Sequence, residues 1–146
     1  RAALVGGKTL AILLLEVLQA ALICALGLAL GWQPQGSAVL AVLLLVVGTL
    51  AFGGLGLLVA GTLRAEVVLA VANLMWFVFA AIGALTLETA VIPRALAWVA
   101  RLTPSGALTE ALSRATQLSV DWFGIAVLAV WGAVAALAAL RWFRFT

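Results

Sequence analysis

The stretch from Ala38 to Leu63 contains no charged residue, and it constrains the fold more than any other feature of the sequence. At about 1.5 Å per residue, a helix of this length exceeds a hydrocarbon core of about 30 Å, so it can cross a bilayer with some tilt. Across the chain 67% of residues are hydrophobic and 9% are charged, against about 45–50% and about 25% in soluble domains. The sequence therefore predicts an all-α integral membrane protein.

Four apolar stretches are long enough to span a bilayer. They cover about 9–32, 38–63, 67–87 and 122–140. Short turn-forming segments separate the first three. We predict a single transmembrane domain of four helices over residues 1–146. Because the chain begins with Arg1 and no signal peptide follows, we also predict that it is a portion of a longer polypeptide.

The region 88–121 mixes charged residues with apolar stretches that are too short to span. Pro93 is typical of the first turn of a helix. Thr103 followed by Pro104 is typical of a cap that opens a second helix, extending to about Leu118. We therefore predict two short external helices, amphipathic or re-entrant, between spans three and four.

The second short helix is predicted to be amphipathic. Its apolar stripe would consist of Leu108, Leu112, Ala115 and Leu118. Glu110 and Arg114 are four residues apart in the order that favours a helical ion pair, so we predict such a pair on the surface. Asp121 is predicted to cap the last span.

The basic residues predict the orientation, because cytoplasmic ends of spans are rich in Lys and Arg. Four spans place five of them on one side: Arg1, Lys8, Arg64, Arg141 and Arg144. We predict that both ends of the chain are cytoplasmic and that 88–121 is external. The excess of arginine over lysine is typical of GC-rich bacterial coding, so the expected location is a bacterial plasma membrane.

Several segments, in order along the chain, resemble the permease subunits of type-2 ABC exporters. They are Gly7-Lys8 with Glu16 and Gln19, Gly31-Trp32 with Pro34, segments 61–66 and 69–74, Pro93, and segment 102–112. The resemblance implies that the chain holds the last four spans of a six-span permease, without the cytoplasmic coupling helix that engages the ATPase. One departure lies at the exit of the third span, where Glu88 replaces a glycine- and proline-rich end.

The resemblance also implies the partners: a separate ATP-binding cassette subunit, a second permease subunit and the bilayer. ATP and Mg would be bound by the cassette subunit, so no cofactor and no catalytic residue are expected in this chain. The residues agree, because the chain has no histidine and one cysteine, and because no Gly-Lys-Ser/Thr follows the glycines between positions 27 and 61 to make a phosphate loop. The basic residues are scattered, which argues against a nucleic-acid partner.

Polar and aromatic residues inside the spans are the candidates for a translocation path. An acid within a span is costly unless it is neutralised or paired, so Glu16 is a candidate, with Gln19 on the same face. Glu16 could instead pair with Lys8 or Arg64 near the membrane edge. Asn73 could line the path or hydrogen-bond a neighbouring helix.

Trp76 and Trp131 lie near mid-span, where they could line an aromatic wall or serve packing alone. Arg64 and Glu66 lie in the tight cytoplasmic turn. They could contact the ATPase or form a hinge between two spans, or Arg64 could be only a topological signal with Glu66 as a solvated acid beside it. The spacing of Gly27 and Gly31 predicts close helix approach.

The leading hypothesis is a permease subunit that exports a hydrophobic or amphipathic substrate, driven by a separate ATPase. The alternative is a four-span assembly or accessory protein that does not transport. A third hypothesis, a proton-coupled carrier with Glu16 and Glu88 as relay groups, is the weakest because the chain has few spans and no clear internal repeat.

Overall fold

The structure is a computed structural model that describes residues 2–87 and 92–142. These residues form six α-helices and no strand. The helices are α1 (Ala2–Ala29), α2 (Ala38–Thr62), α3 (Ala65–Leu87), α4 (Arg94–Arg101), α5 (Pro104–Ala115) and α6 (Trp122–Trp142). Of these, α1, α2, α3 and α6 are long and apolar enough to cross a membrane. The predicted all-α membrane fold, with two short helices between the third and fourth long ones, is confirmed.

The first helix ends earlier than predicted, at Ala29 rather than at Trp32. Gly31 has a φ of 91°, in the left-handed region that favours glycine. The Trp32 amide donates to the Gly27 carbonyl at 2.9 Å, as in a Schellman motif. A Cβ on Gly27 would lie 3.2 Å from the Trp32 ring, so Trp32 packs over this residue. Both glycines of the predicted helix-approach motif therefore have a local role in ending α1.

Residues 1–34 and 35–146 form two compact units. In the second unit, the turn at Leu63 and Arg64 sends α3 back along α2. Helix α6 runs parallel to α2, because Ala51 faces Gly132 and Gly54 faces Ala135. Small residues at these positions let the two helices approach closely. We call the end of this unit where α2 and α6 begin and α3 ends the hairpin end, and the opposite end the turn end.

Helix α5 lies at the centre of the second unit, where it packs against α2, α3, α4 and α6. It runs antiparallel to α2: Leu108 packs on Gly48, and Ala115 lies near Gly36. Its first turn reaches the level of Ala51, about 20 Å along α2 from the hairpin end at 1.5 Å per residue. The pair α4–α5 is therefore a re-entrant hairpin that enters the bundle. Of the two predicted arrangements, amphipathic surface helices or a re-entrant pair, the structure has the second.

Side chains pair three backbone groups in the turn of the re-entrant hairpin, in line with the need to satisfy non-helical backbone inside a membrane protein. The Thr103 hydroxyl donates to the Ala100 carbonyl and accepts from the Gly106 amide at 3.2 Å. The Leu102 carbonyl accepts from the indole Nε1 of Trp131 at 2.9 Å. Thr103 is thus the predicted cap of α5, and Trp131 has a specific structural role.

Candidate functional site

An apolar groove of about 400 Å³ lies between α2 and α3. It is lined by residues of 52–59 on α2 and of 68–80 on α3. Phe52 and Phe79 meet edge to face at 5.5 Å between ring centres, at the end of the groove nearer the hairpin end. No ionisable side chain lines the groove, so it suits an apolar ligand and has no group for acid–base chemistry.

Trp76 is the one predicted path residue that lines this groove. Its side chain is 66% exposed and stacks edge to face with Phe77. Gly56 lines the groove from α2, and a Cβ placed there would meet nothing within 4 Å. The glycine therefore keeps the groove wide opposite an aromatic ring.

Asn73 is exposed on α3 and is not among the residues that line the groove. Its side chain forms no hydrogen bond with another described residue. The predicted path residues Asn73 and Trp76 are therefore neighbours on one helix that do not share a cavity.

The other two predicted path residues lie on α1, in the unit of residues 1–34. Glu16 is half-buried and Gln19 is exposed. The side chain of Lys8, the predicted partner of Glu16, lies outside the described side chains. The roles of Glu16 and Gln19 remain predictions.

Arg64 and Glu66, the predicted coupling residues, are both exposed at the turn end. The Arg64 carbonyl accepts from the Val68 amide at 2.9 Å, which starts α3. Glu66 lies in the first turn of α3, where a negative charge is favourable beside the helix N-terminus. In the described part of the chain neither side chain enters an ion pair, so both are available to a partner.

A second, polar site lies on the re-entrant hairpin. The Nη2 atom of Arg101 donates to both carboxylate oxygens of Asp121, at 2.8 and 2.9 Å. The guanidinium also lies over the rings of Trp98 and Phe123, 5.4 and 5.0 Å from their centres. Asp121 is 4% exposed, so its charge is compensated by Arg101 inside the protein. Asp121 directly precedes α6, as predicted for its cap, but its carboxylate bonds Arg101 and accepts from no described backbone amide, so the predicted side-chain cap does not form.

The predicted ion pair on α5 forms, with Nε of Arg114 2.8 Å from Oε1 of Glu110. This hydrogen bond raises the pKa of Arg114. Together with Arg94 and Arg101 on α4, the pair lines a cavity of about 250 Å³ beside the end of α3. The sequence analysis did not identify Arg94, Arg101 or Asp121 as site residues, although the mixture of charges in 88–121 was a signal.

Three predicted residues lie outside the described part of the chain: Arg1, Arg144 and Glu88. The two arginines contributed to the predicted orientation. Glu88 was the predicted relay group of the carrier hypothesis and the departure from the family pattern at the exit of the third span. Nothing in the structure bears on them.

No curated protein and no solved structure matches this chain. Residues 1–141 match the family model described as ABC-2 family transporter protein. This match covers nearly the whole chain, including the re-entrant hairpin, and confirms the resemblance found in the sequence. The chain belongs to the ABC-2 transporter family.

Proposed function

We propose that this chain is the permease subunit of an ATP-driven exporter and that it forms part of the path of a hydrophobic or amphipathic substrate. The family match over residues 1–141 is the observation on which the proposal rests. The chain contributes walls for the substrate and no chemistry. ATP and Mg are bound by a separate cassette subunit, and a second permease subunit completes the path.

The groove between α2 and α3 supports the substrate class. Ligand sites are concave and mostly apolar, and this groove has both properties, with Trp76 as its largest exposed aromatic side chain. An apolar molecule or the apolar part of an amphiphile gains by contact with these rings. Glu16, Gln19 and Asn73 are proposed as further path residues.

The turn at Arg64 and Glu66 is proposed as a contact of the cassette subunit. Both side chains are exposed and make no ion pair with described residues. In the proposed orientation, this turn and both chain ends face the cytoplasm of a bacterium, and the re-entrant hairpin faces outward. Cysteines introduced at Ser37 and at the exposed Ser119 should then be labelled from outside; Ser105 is buried and unsuitable.

The test uses the intact protein, produced together with the ATPase encoded beside it. The two should purify as a complex, and inverted membrane vesicles containing them should accumulate ethidium or a nitrobenzoxadiazole-labelled phospholipid only when ATP is added. An ATPase without its Walker A lysine is the control and should abolish accumulation. A protein that neither binds the ATPase nor supports ATP-dependent accumulation of either probe would be the non-transporting assembly protein instead.

A further inference from the structure

The polar cavity beside α3, α4 and α5 is lined by three arginines and one acid. They are Arg94 and Arg101 on α4, and Glu110 and Arg114 on α5. Asp121 lies behind Arg101 and compensates it. The described groups at this cavity are thus three guanidinium groups and two carboxylates, which leaves one positive charge in excess.

The arginines have donors to spare. The bond between Arg114 and Glu110 uses Nε of Arg114, whose side chain is 43% exposed. The bonds from Arg101 to Asp121 use Nη2 alone, and Nη1 forms no hydrogen bond with a described residue. Arg94 is exposed and forms no hydrogen bond or ion pair with any of them. Guanidinium groups bind phosphate oxygens with good geometry.

The ring contacts hold the deepest guanidinium in place. Arg101 is fixed between the rings of Trp98 and Phe123 and by its bond to Asp121. A charged donor that is already ordered loses little side-chain entropy when a ligand binds. The cavity therefore has one largely buried, packed guanidinium group and two more exposed ones.

The surroundings of the cavity indicate a lipid rather than a solute. Trp98, which lines it, is 55% exposed, as expected of tryptophan at a membrane interface. The opposite face of α4 presents the exposed side chains of Leu96 and Val99, so this helix is apolar on one side and basic on the other. Thr86 near the end of α3 and Arg94 at the start of α4 place the cavity at the hairpin end, where the head groups of the lipids would lie.

We propose that this cavity binds the phosphate of an anionic phospholipid head group through Arg94, Arg101 and Arg114. The bound lipid bridges α4 and α5 and holds the two helices together at the hairpin end. The inference rests on the membrane fold and not on transport, so it can hold or fail separately from the proposed function.

The test measures lipid retention by native mass spectrometry of the intact protein released from nanodiscs of equal parts phosphatidylglycerol and phosphatidylcholine. The wild type should retain phosphatidylglycerol preferentially. Arg94→Gln should lower that preference about fivefold, from the typical contribution of one arginine near an anionic surface. Arg141→Gln is the control, because it removes an exposed arginine at the turn end. Equal losses in the two variants would overturn the proposal.

Two further measurements identify the source of the anion. Inorganic phosphate added to the wild type should not displace phosphatidylglycerol, and displacement would mean that a free anion is the ligand. Glu88 lies outside the described residues and precedes α4 by six positions in the sequence, so its carboxylate is the competing occupant that the second measurement tests. If the Glu88→Gln variant retained phosphatidylglycerol and the wild type did not, the Glu88 carboxylate would be the occupant of the cavity, and the proposal would be overturned.

Discussion

The indole Nε1 of Trp131 on α6 donates to the backbone carbonyl of Leu102 at 2.9 Å, across 29 residues of sequence. This hydrogen bond joins the turn of the re-entrant hairpin to the last long helix. Leu102 follows the end of α4, where carbonyls have no partner in their own helix. A partner from elsewhere is needed because few water molecules reach such a depth.

Trp131→Phe should therefore destabilise the protein while keeping the apolar ring. The Leu102 carbonyl would lose its partner, at a cost of about 1 kcal/mol. The measurement is the free energy of unfolding in mixed micelles with increasing denaturing detergent. Trp76→Phe is the control: Trp76 is exposed and makes no hydrogen bond with described residues, so its change should stay within about 0.5 kcal/mol. Equal losses would contradict a special role for Trp131.

Asp121→Asn should be more costly, because it leaves the guanidinium of Arg101 without a charged partner. The Arg101 side chain is 17% exposed, and the expected loss is about 3 kcal/mol. Glu110→Gln provides the matched control in the same hairpin. Its partner Arg114 is more exposed, so the loss should be below about 1 kcal/mol. The same unfolding assay should rank the two, and a larger effect of the Glu110 change would refute the ranking.

Gly106→Ala should prevent the hairpin from closing. A Cβ at this position would overlap the carbonyl oxygen of Ala100 and lie 2.6 Å from its carbonyl carbon. Backbone cannot move aside as a flexible side chain can, so we expect a loss of about 3 kcal/mol or failure to fold.

Gly53→Ala should have the opposite sign. It lies within α2, and a Cβ there would meet nothing within 4 Å. Replacing a helical glycine by alanine stabilises by about 0.5–1 kcal/mol when no contact opposes it. If Gly106→Ala and Gly53→Ala shifted the free energy of unfolding in the same direction, the hairpin turn would not be packed as described.

Gly56→Phe tests the groove without disturbing the packing around it. The added ring enters open space opposite Trp76, so stability should change little and ATP-dependent ethidium accumulation should fall to less than half. Gly53→Phe adds the same ring on the same helix at a position that does not line the groove. Unchanged transport by the Gly56 variant would remove the groove from the proposed path.

The sequence predicted the elements of the hairpin but not its packing. Pro93 and the Thr103-Pro104 pair predicted where α4 and α5 begin, because caps are local features. The predicted apolar stripe was partly wrong: α5 ends at Ala115, so Leu118 lies beyond it and is exposed. Ala107 and Ala111, which were not in the predicted stripe, are fully buried. Alanine has little hydrophobic signal, yet its small size lets α5 approach α2 and α6 closely.

The polar contacts of the hairpin were hidden for a different reason. Arg101 and Asp121 are 20 residues apart, and several acids in 88–121 were equally possible partners for the arginine. The acceptor of the Trp131 hydrogen bond is a main-chain carbonyl. Every residue has such a carbonyl, so only its position in space distinguishes the one at Leu102. For Trp76 the sequence left two alternatives open, an aromatic wall or packing alone. The groove that it lines depends on the spacing of α2 and α3, which the sequence does not show.

The depth of the re-entrant hairpin has a consequence for the shape of the second unit. Helix α5 lies between α2 and α3 only as far as Ala51 and Gly83. The groove begins directly beyond, with Phe52 and Ala80. In cross-section the second unit therefore has five helices at the hairpin end and three beyond the start of α5. The position at which α5 begins thus marks the boundary between a filled bundle and an open groove.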